Sequence, residues 1–258
     1  MKLIFCLSAG RTGTAYLAEL LRANLPHPSI AMHEVMPFGV HTPEVSHNME
    51  FNNKGNTKLI KDFWERKFNI ILSQPIEYYA ESCHMLMKAG LVENAAEFIP
   101  EHNEVKFIIL KRDDTENTLK SYHNRYDFYN KGNLWLWYLA PEYKNNLVDY
   151  RTYFELGCGI WGLRYWYLKE MYARYDNYKK LYKDKTNFSF YEVELTTLND
   201  KVEVKKLLKF IDPEMKDHEI VIPPRKNISQ RTRDITELDQ KAIDMLLKEE
   251  INGNRNRT

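Results

Sequence analysis

Six consecutive residues near the start of the chain, Gly10, Arg11, Thr12, Gly13, Thr14 and Ala15, combine the types that hold an anion. The two glycines let the backbone wrap closely around a ligand. The threonine hydroxyls are donors, and the Arg11 guanidinium stays charged. An apolar run at residues 2–7 precedes them, and a helical stripe of Leu17, Leu20 and Leu21 follows. A strand feeding such a turn at a helix N-terminus offers unpartnered amides at the positive end of the helix dipole, which makes an anion site. A plain strand-to-helix turn with an exposed arginine is the alternative reading. The ATP-type loop G-x-x-x-x-G-K-[ST] does not match, because Thr14, not lysine, follows Gly13.

The stretch GRTGT followed by an aliphatic helix resembles the 5′-phosphosulfate loop of sulfotransferases, which take a sulfuryl group from 3′-phosphoadenosine 5′-phosphosulfate (PAPS). In that family the place of Arg11 holds Lys or Arg. The resemblance therefore implies PAPS as co-substrate and no metal, with residues 10–15 on the phosphosulfate. The family's second signature is a strand ending in Arg and then a helix carrying Ser, which grip the donor's 3′-phosphate. FIILKRDDTENTLKSYHNR resembles it, with Arg112 and Ser121. The interval between those two is one residue longer than the family spacing. Either the turn at Asp113 and Asp114 absorbs the extra residue, or Lys111 shares the role. A third stretch, PPRKNISQRTR, resembles the segment that closes over the 3′-phosphate and adenosine, with Arg225, Lys226, Asn227, Ser229 and Arg231 as candidates. A solvated basic loop is the other reading of that stretch.

In-line sulfuryl transfer follows the logic of phosphoryl transfer, in which positioning and charge stabilisation do most of the work. Arg11 would neutralise the charge that builds on the transferred group. A base must take the acceptor's proton, and His, Glu or Asp can do so. MHE ends the second candidate strand and supplies Glu34, with His33 as orienting neighbour or substitute. Family resemblance supports a Glu just after this strand, or a His further on. ESCH supplies a second acid–base pair, Glu81 and His84, expected to open a helix. Each of these groups could equally be an exposed carboxylate or a histidine satisfied by the backbone. On the acceptor side, residues 122–182 are dense in Tyr and Trp, which suit sugar rings, phenols or apolar chains, and equally suit a packed helical layer. Residues 37–55, rich in Pro, Gly, His and Asn, read as a loop or lid. The implied acceptor is a small molecule, a carbohydrate or a lipid carrying a hydroxyl or amine.

The elements that must position these groups alternate along the chain. Strands are expected at residues 2–7, 29–35, 104–112 and 187–195, and residues 68–74 read as a strand or a helix end. Helices are expected from Thr14, over 80–99, after Asp114 as N-cap, over 156–182 and 202–211, and over 236–251 with Thr236 as cap. Such alternation predicts an α/β fold, a central, mostly parallel sheet flanked by helices. The resemblance makes it a P-loop-like sulfotransferase fold. One domain over residues 1–251 and a polar tail at 252–258 are expected.

A net charge of +1 over 258 residues gives no bulk attraction for nucleic acid or membranes, so an anion site has to be local. No stretch reaches the ~18 apolar residues of a membrane span. The apolar run at the start falls short of a secretory leader. Three widely spaced cysteines, without a C-x-x-C pair, fit a reduced, cytoplasmic protein. Two other functions compete: an ATP-dependent small-molecule kinase, and a non-catalytic nucleotide-binding protein.

Overall fold

The computed structural model describes residues 1–34, 41–112, 114–124, 138–224 and 233–255. Five parallel strands form one sheet: β1 (Lys2–Ser8), β2 (Ser29–Met32), β3 (Tyr78–Ser82), β4 (Glu104–Lys111) and β5 (Phe188–Glu194), in the order β2-β3-β1-β4-β5. Alternation along the central strands sends successive side chains to two cores. Leu3, Phe5 and Leu7 of β1 and Val105, Phe107 and Ile109 of β4 enter one. Ile4 and Cys6, with Ile108 and Leu110, enter the other. Helices cover both faces, as a sheet of buried parallel strands requires. On the second face lie α1 (Thr14–Asn24), through Leu17, Leu20 and Leu21, and α8 (Lys201–Ile211), through Val204, Leu207 and Ile211. On the first lie α3 (Lys58–Leu72), α4 (Leu91–Phe98), α5 (Thr115–Asn124), α7 (Gly159–Leu181) and α9 (Glu237–Arg255). Two further helices complete the described chain, α2 (Val45–Lys54) and the short α6 (Arg151–Phe154).

The capping residues read from the sequence act as expected. The Asp114 carboxylate accepts from the Asn117 amide at 3.1 Å. Thr236 Oγ1 accepts from the Asp239 amide at 3.2 Å, while Asp239 accepts from the Thr236 amide at 3.0 Å, a reciprocal capping box. Residues 68–72 finish α3, so the helical reading of that stretch holds.

Three expectations need correction. Residues 80–99 are not one helix. Tyr78 to Ser82 pair with β1 and β2, a 3-10 turn spans Met87–Ala89, and Gly90, at φ 82°, breaks the run before α4. Two adjacent tyrosines favour the pleated surface, and this local preference outweighs the apolar run behind them. The second half of the expected lid, residues 45–54, is the helix α2. Two of its asparagines, which look loop-like in sequence, are internal hydrogen-bonders. Asn48 donates to the Tyr138 carbonyl at 2.7 Å, and Asn52 donates to the Lys88 carbonyl at 2.7 Å while accepting from Arg174 at 2.7 Å. Finally, α9 runs on through residues 252–255 of the expected tail, since polar composition alone does not mark a helix end.

The described part of the aromatic-rich segment packs as a layer on the sheet. Tyr122, Trp161, Tyr165, Trp166, Tyr167 and Tyr175 are buried in the first core. Arg174 and Glu170 form an ion pair inside that layer, and the Glu170 carboxylate also takes the amides of Leu147 and Val148 at 2.8 Å. The three thiols are free and buried; burial pushes those of Cys6 and Cys83 up to about 12.

Candidate active site

The carboxyl ends of all five strands lie on one edge. β1 is the switch point there: the chain leaves it toward β2 and β3 on one side, and returns at β4 on the other. Ligands of open parallel sheets collect in such a crevice. The loop from β1 to α1 fills it. Gly10, Arg11 and Gly13 all take left-handed backbone, at φ 85°, 59° and 93°. Ser8 Oγ lies 2.5 Å from Thr12 Oγ1 and accepts from the Gly10 amide at 3.0 Å, which braces the turn from inside. A β-carbon at Gly13 would meet the tip of the Leu195 side chain, just past the end of β5, which would have to swing aside; the left-handed backbone is what calls for glycine there. Thr14 opens α1, whose first amides have no partners within the helix. The hydroxyl of Thr14 lies 3.0 Å from His33 Nε2. The two loop hydroxyls are thus tied to protein groups, Thr12 to Ser8 and Thr14 to His33. Ala15 follows in the first turn of α1.

Arg112 leaves the end of β4 beside this loop. Its Nη1 donates to the Arg11 carbonyl at 3.5 Å. Both guanidinium groups also act on the buried Tyr122 phenol, opposing the burial that holds its pKa well above the usual value. Ser121, next to Tyr122 on α5, is half-buried. The loop, the end of β4 and α5 therefore converge. Lys111 turns the other way, pairing with Glu192 of β5 and lying 5.3 Å from the Tyr172 ring. Arg225, Lys226, Asn227, Ser229 and Arg231 lie outside the described residues, as does Asp113. Where the chain resumes, the Arg233 amide donates to Asn124 Oδ1 at 2.9 Å, at the end of α5.

The acid–base candidates divide sharply by environment. His33 and Glu34 follow β2 directly. Glu34 is exposed, and its Oε1 lies 3.5 Å from His33 Nε2. Burial lowers the His33 pKa, and the Glu34 carboxylate pulls it partly back. Glu34 itself is left-handed at φ 58°. Arg11 and Glu34 are the non-glycine residues with positive φ among the described residues, and strain of this kind gathers at functional sites. Glu81 is fully buried. One carboxylate oxygen takes Lys67 Nζ at 2.8 Å, and the other takes the Tyr79 hydroxyl at 2.9 Å. It stands in β3, in register with Met32, and does not share a helix with His84.

His84 is the only residue in the run 78–92 that is not buried. Its ring packs on the loop, 3.4 Å from where a Gly10 β-carbon would stand. Its Nδ1 lies 2.8 Å from Nζ of Lys88, a fully buried lysine missed in the sequence reading. An H-x-x-x-K spacing was the available signal, but the apolar residues around it hid the charge. Lys88 also donates to the Tyr167 hydroxyl at 3.2 Å, and that hydroxyl donates to the Ala9 carbonyl at 2.6 Å. Burial lowers the Lys88 pKa to about 7.

No protein-family model matches the chain, and no curated protein matches it in sequence. Among solved structures, a mouse sulfotransferase complexed with PAP overlaps 97% of this chain and 85% of its own length, at 14% identity and a TM-score of 0.41. Among the described residues no three His, Cys, Asp or Glu side chains gather as a metal site, and no helix is long and apolar enough to cross a membrane.

Proposed function

We propose that the chain is a PAPS-dependent sulfotransferase acting on a hydroxyl or amine of a small-molecule, carbohydrate or lipid acceptor. The observation that carries this reading is the meeting of Arg112 with the Arg11 carbonyl. It brings the braced loop and the second cation into one crevice, as a ligand with a phosphate at each end requires. The donor would supply the sulfuryl group. The loop at residues 10–15 would hold the phosphosulfate through Arg11 and the amides that follow Gly10, whose own amide is taken by Ser8, and Arg112 and Ser121 would hold the 3′-phosphate. The stretch carrying Arg225, Lys226, Asn227 and Arg231 would close on the adenosine side. The loop supports this reading through two left-handed glycines, Gly10 and Gly13, that lead into a helix N-terminus. The three free thiols support placing the protein in the reducing cytoplasm.

Two groups flank the loop as bases, Glu34 with His33, and His84. Glu81 is a poor choice for that role, because both its oxygens are engaged in a buried ion pair and hydrogen bond. The test is calorimetry with 3′-phosphoadenosine 5′-phosphate (PAP) in the absence of metal, followed by transfer from labelled PAPS to an acceptor panel. Binding of PAP with transfer supports the reading. Binding of ATP with Mg²⁺ and not of PAP overturns it in favour of a kinase. PAP binding without transfer to any acceptor favours a non-catalytic protein.

A further inference from the structure

We propose that Lys88 is the resting place of the proton that His84 takes up, so that the two side chains act as one base beside the loop. The inference rests on the sulfuryl-transfer reading of this crevice. His84 reaches the surface from an otherwise buried run, while its Nδ1 faces inward to Nζ of Lys88 at 2.8 Å. Lys88 has no exposed surface, and the rings of Tyr138 and Tyr167 stand 5.1 and 5.6 Å from its Nζ. The Tyr167 hydroxyl spends its proton on the Ala9 carbonyl and so accepts from Nζ. This holds the amine at the root of the anion loop.

Among the described residues, the charged and titratable groups facing Lys88 include His84, Cys83 and Glu34 from the strand ends, Arg174 and Tyr167 from α7, and Tyr138. Burial is the main reason the ammonium form is disfavoured, and Arg174 adds to it; Glu34 opposes it, as Cys83 would only if it were a thiolate. The Cys83 thiol, held up at about 12, stays neutral near physiological pH. Lys88 can therefore be an amine when the acceptor arrives.

The proton then moves in two balanced steps. With Lys88 neutral, the imidazole N–H is on Nδ1 and donates to the Nζ lone pair, which puts the ring's own lone pair on Nε2. The acceptor's O–H bond breaks and an Nε2–H bond forms. The Nδ1–H bond breaks and an Nζ–H bond forms. The result is a neutral His84 carrying its proton on Nε2, and an ammonium between two aromatic faces, where cation–π attraction helps to hold it. Lys88 acts through His84 and is a positioning residue.

This arrangement has a signature that a merely structural lysine lacks. As pH falls, His84 exchanges one neutral tautomer for the other and does not become a cation. The experiment is a two-bond proton–nitrogen spectrum of protein labelled with ¹⁵N-histidine, from about pH 6 to about pH 9, with and without PAP. His84→Gln identifies the signal. In the unaltered protein the ring is expected to pass from Nδ1–H to Nε2–H as pH falls. Lys88→Met is expected to abolish the exchange. Lys88→Arg, which donates but cannot release its proton, is expected to hold Nε2–H throughout. A single tautomer across the range in the unaltered protein, or a ring that simply becomes imidazolium, overturns the proposal, and neither outcome depends on a variant folding. Failure to bind PAP overturns the donor reading and leaves the tautomer exchange to be read on its own.

Discussion

The guanidinium of Arg112 donates to the backbone carbonyl of Arg11 across 101 residues of chain, at 3.5 Å. A carbonyl is a weak partner for a guanidinium, and a phosphate on the same fork would be a stronger one. Arg112→Ala is therefore expected to weaken PAP binding by about 10- to 100-fold, the range of a lost charge-assisted hydrogen bond. Turnover at saturating donor should fall less. Arg112→Lys should lie between, since it keeps the charge and loses the fork. Calorimetry with PAP reads all three, and unchanged affinity in Arg112→Ala would remove this residue from the site.

Glu34 separates chemistry from stability. Its φ of 58° suits glycine, and a left-handed residue costs roughly 1–2 kcal/mol. Glu34→Gly is thus expected to raise stability in urea melts by up to about 1 kcal/mol, once glycine's extra chain entropy is subtracted. If Glu34 and His33 supply the base, Glu34→Gln loses turnover and still binds PAP, whereas Arg11→Ala loses turnover through the transferred group. Near-normal turnover in Glu34→Gln would assign the proton to His84.

Glu81 should behave as structure. Removing one partner of a buried ion pair leaves an uncompensated charge, at a cost of about 3–5 kcal/mol. Lys67→Met is expected to lose that much stability, seen as a fall of about 10 °C in Tm for a chain of this size. The double change Lys67→Met with Glu81→Leu should recover most of it. PAP affinity measured on folded protein should stay within about twofold in both. A large loss of affinity with little loss of stability would contradict this assignment.

Lys88 gives stability a pH slope of known sign. Its pKa falls from 10.5 to about 7 on folding, chiefly through burial. Between those values the unfolded chain holds a proton that the folded one does not, so stability rises with pH. The slope is about 1.4 kcal/mol per pH unit, and it levels off below the folded value. Cys6 and Cys83 act in the opposite sense above about pH 9, because the folded protein retains protons the unfolded chain releases. Urea melts between about pH 7.5 and 8.5 avoid them, and subtracting the Lys88→Met series isolates the lysine. Parallel slopes in the two proteins would contradict a neutral Lys88.

The loop and four of the five strands were legible because each rests on local signals, whereas β3 was read partly as the start of a helix. Continuous apolar runs mark β1 and β4, and Gly10 and Gly13 mark the turn between β1 and α1. Arg112 was legible as a strand-ending cation. Its meeting with Arg11 was not, since that depends on the register that sets Ser8 opposite Leu110. The buried pairs were illegible for a physical reason. Lys67, Glu81 and Lys88 each look like surface charges in sequence, and only packing removes them from water. The Asn-rich stretch of α2 misled in the same way, because Asn48 and Asn52 satisfy backbone groups inside the protein rather than starting a turn.

The thiols of Cys6, in β1, and Cys83, just past β3, are shut away and almost wholly protonated. Thiol reagents attack the thiolate, so alkylation must wait for the sheet to part. The molecule carries its own clock for opening: the rate at which a maleimide consumes these sulfurs, with and without PAP, would count unfolding events one molecule at a time.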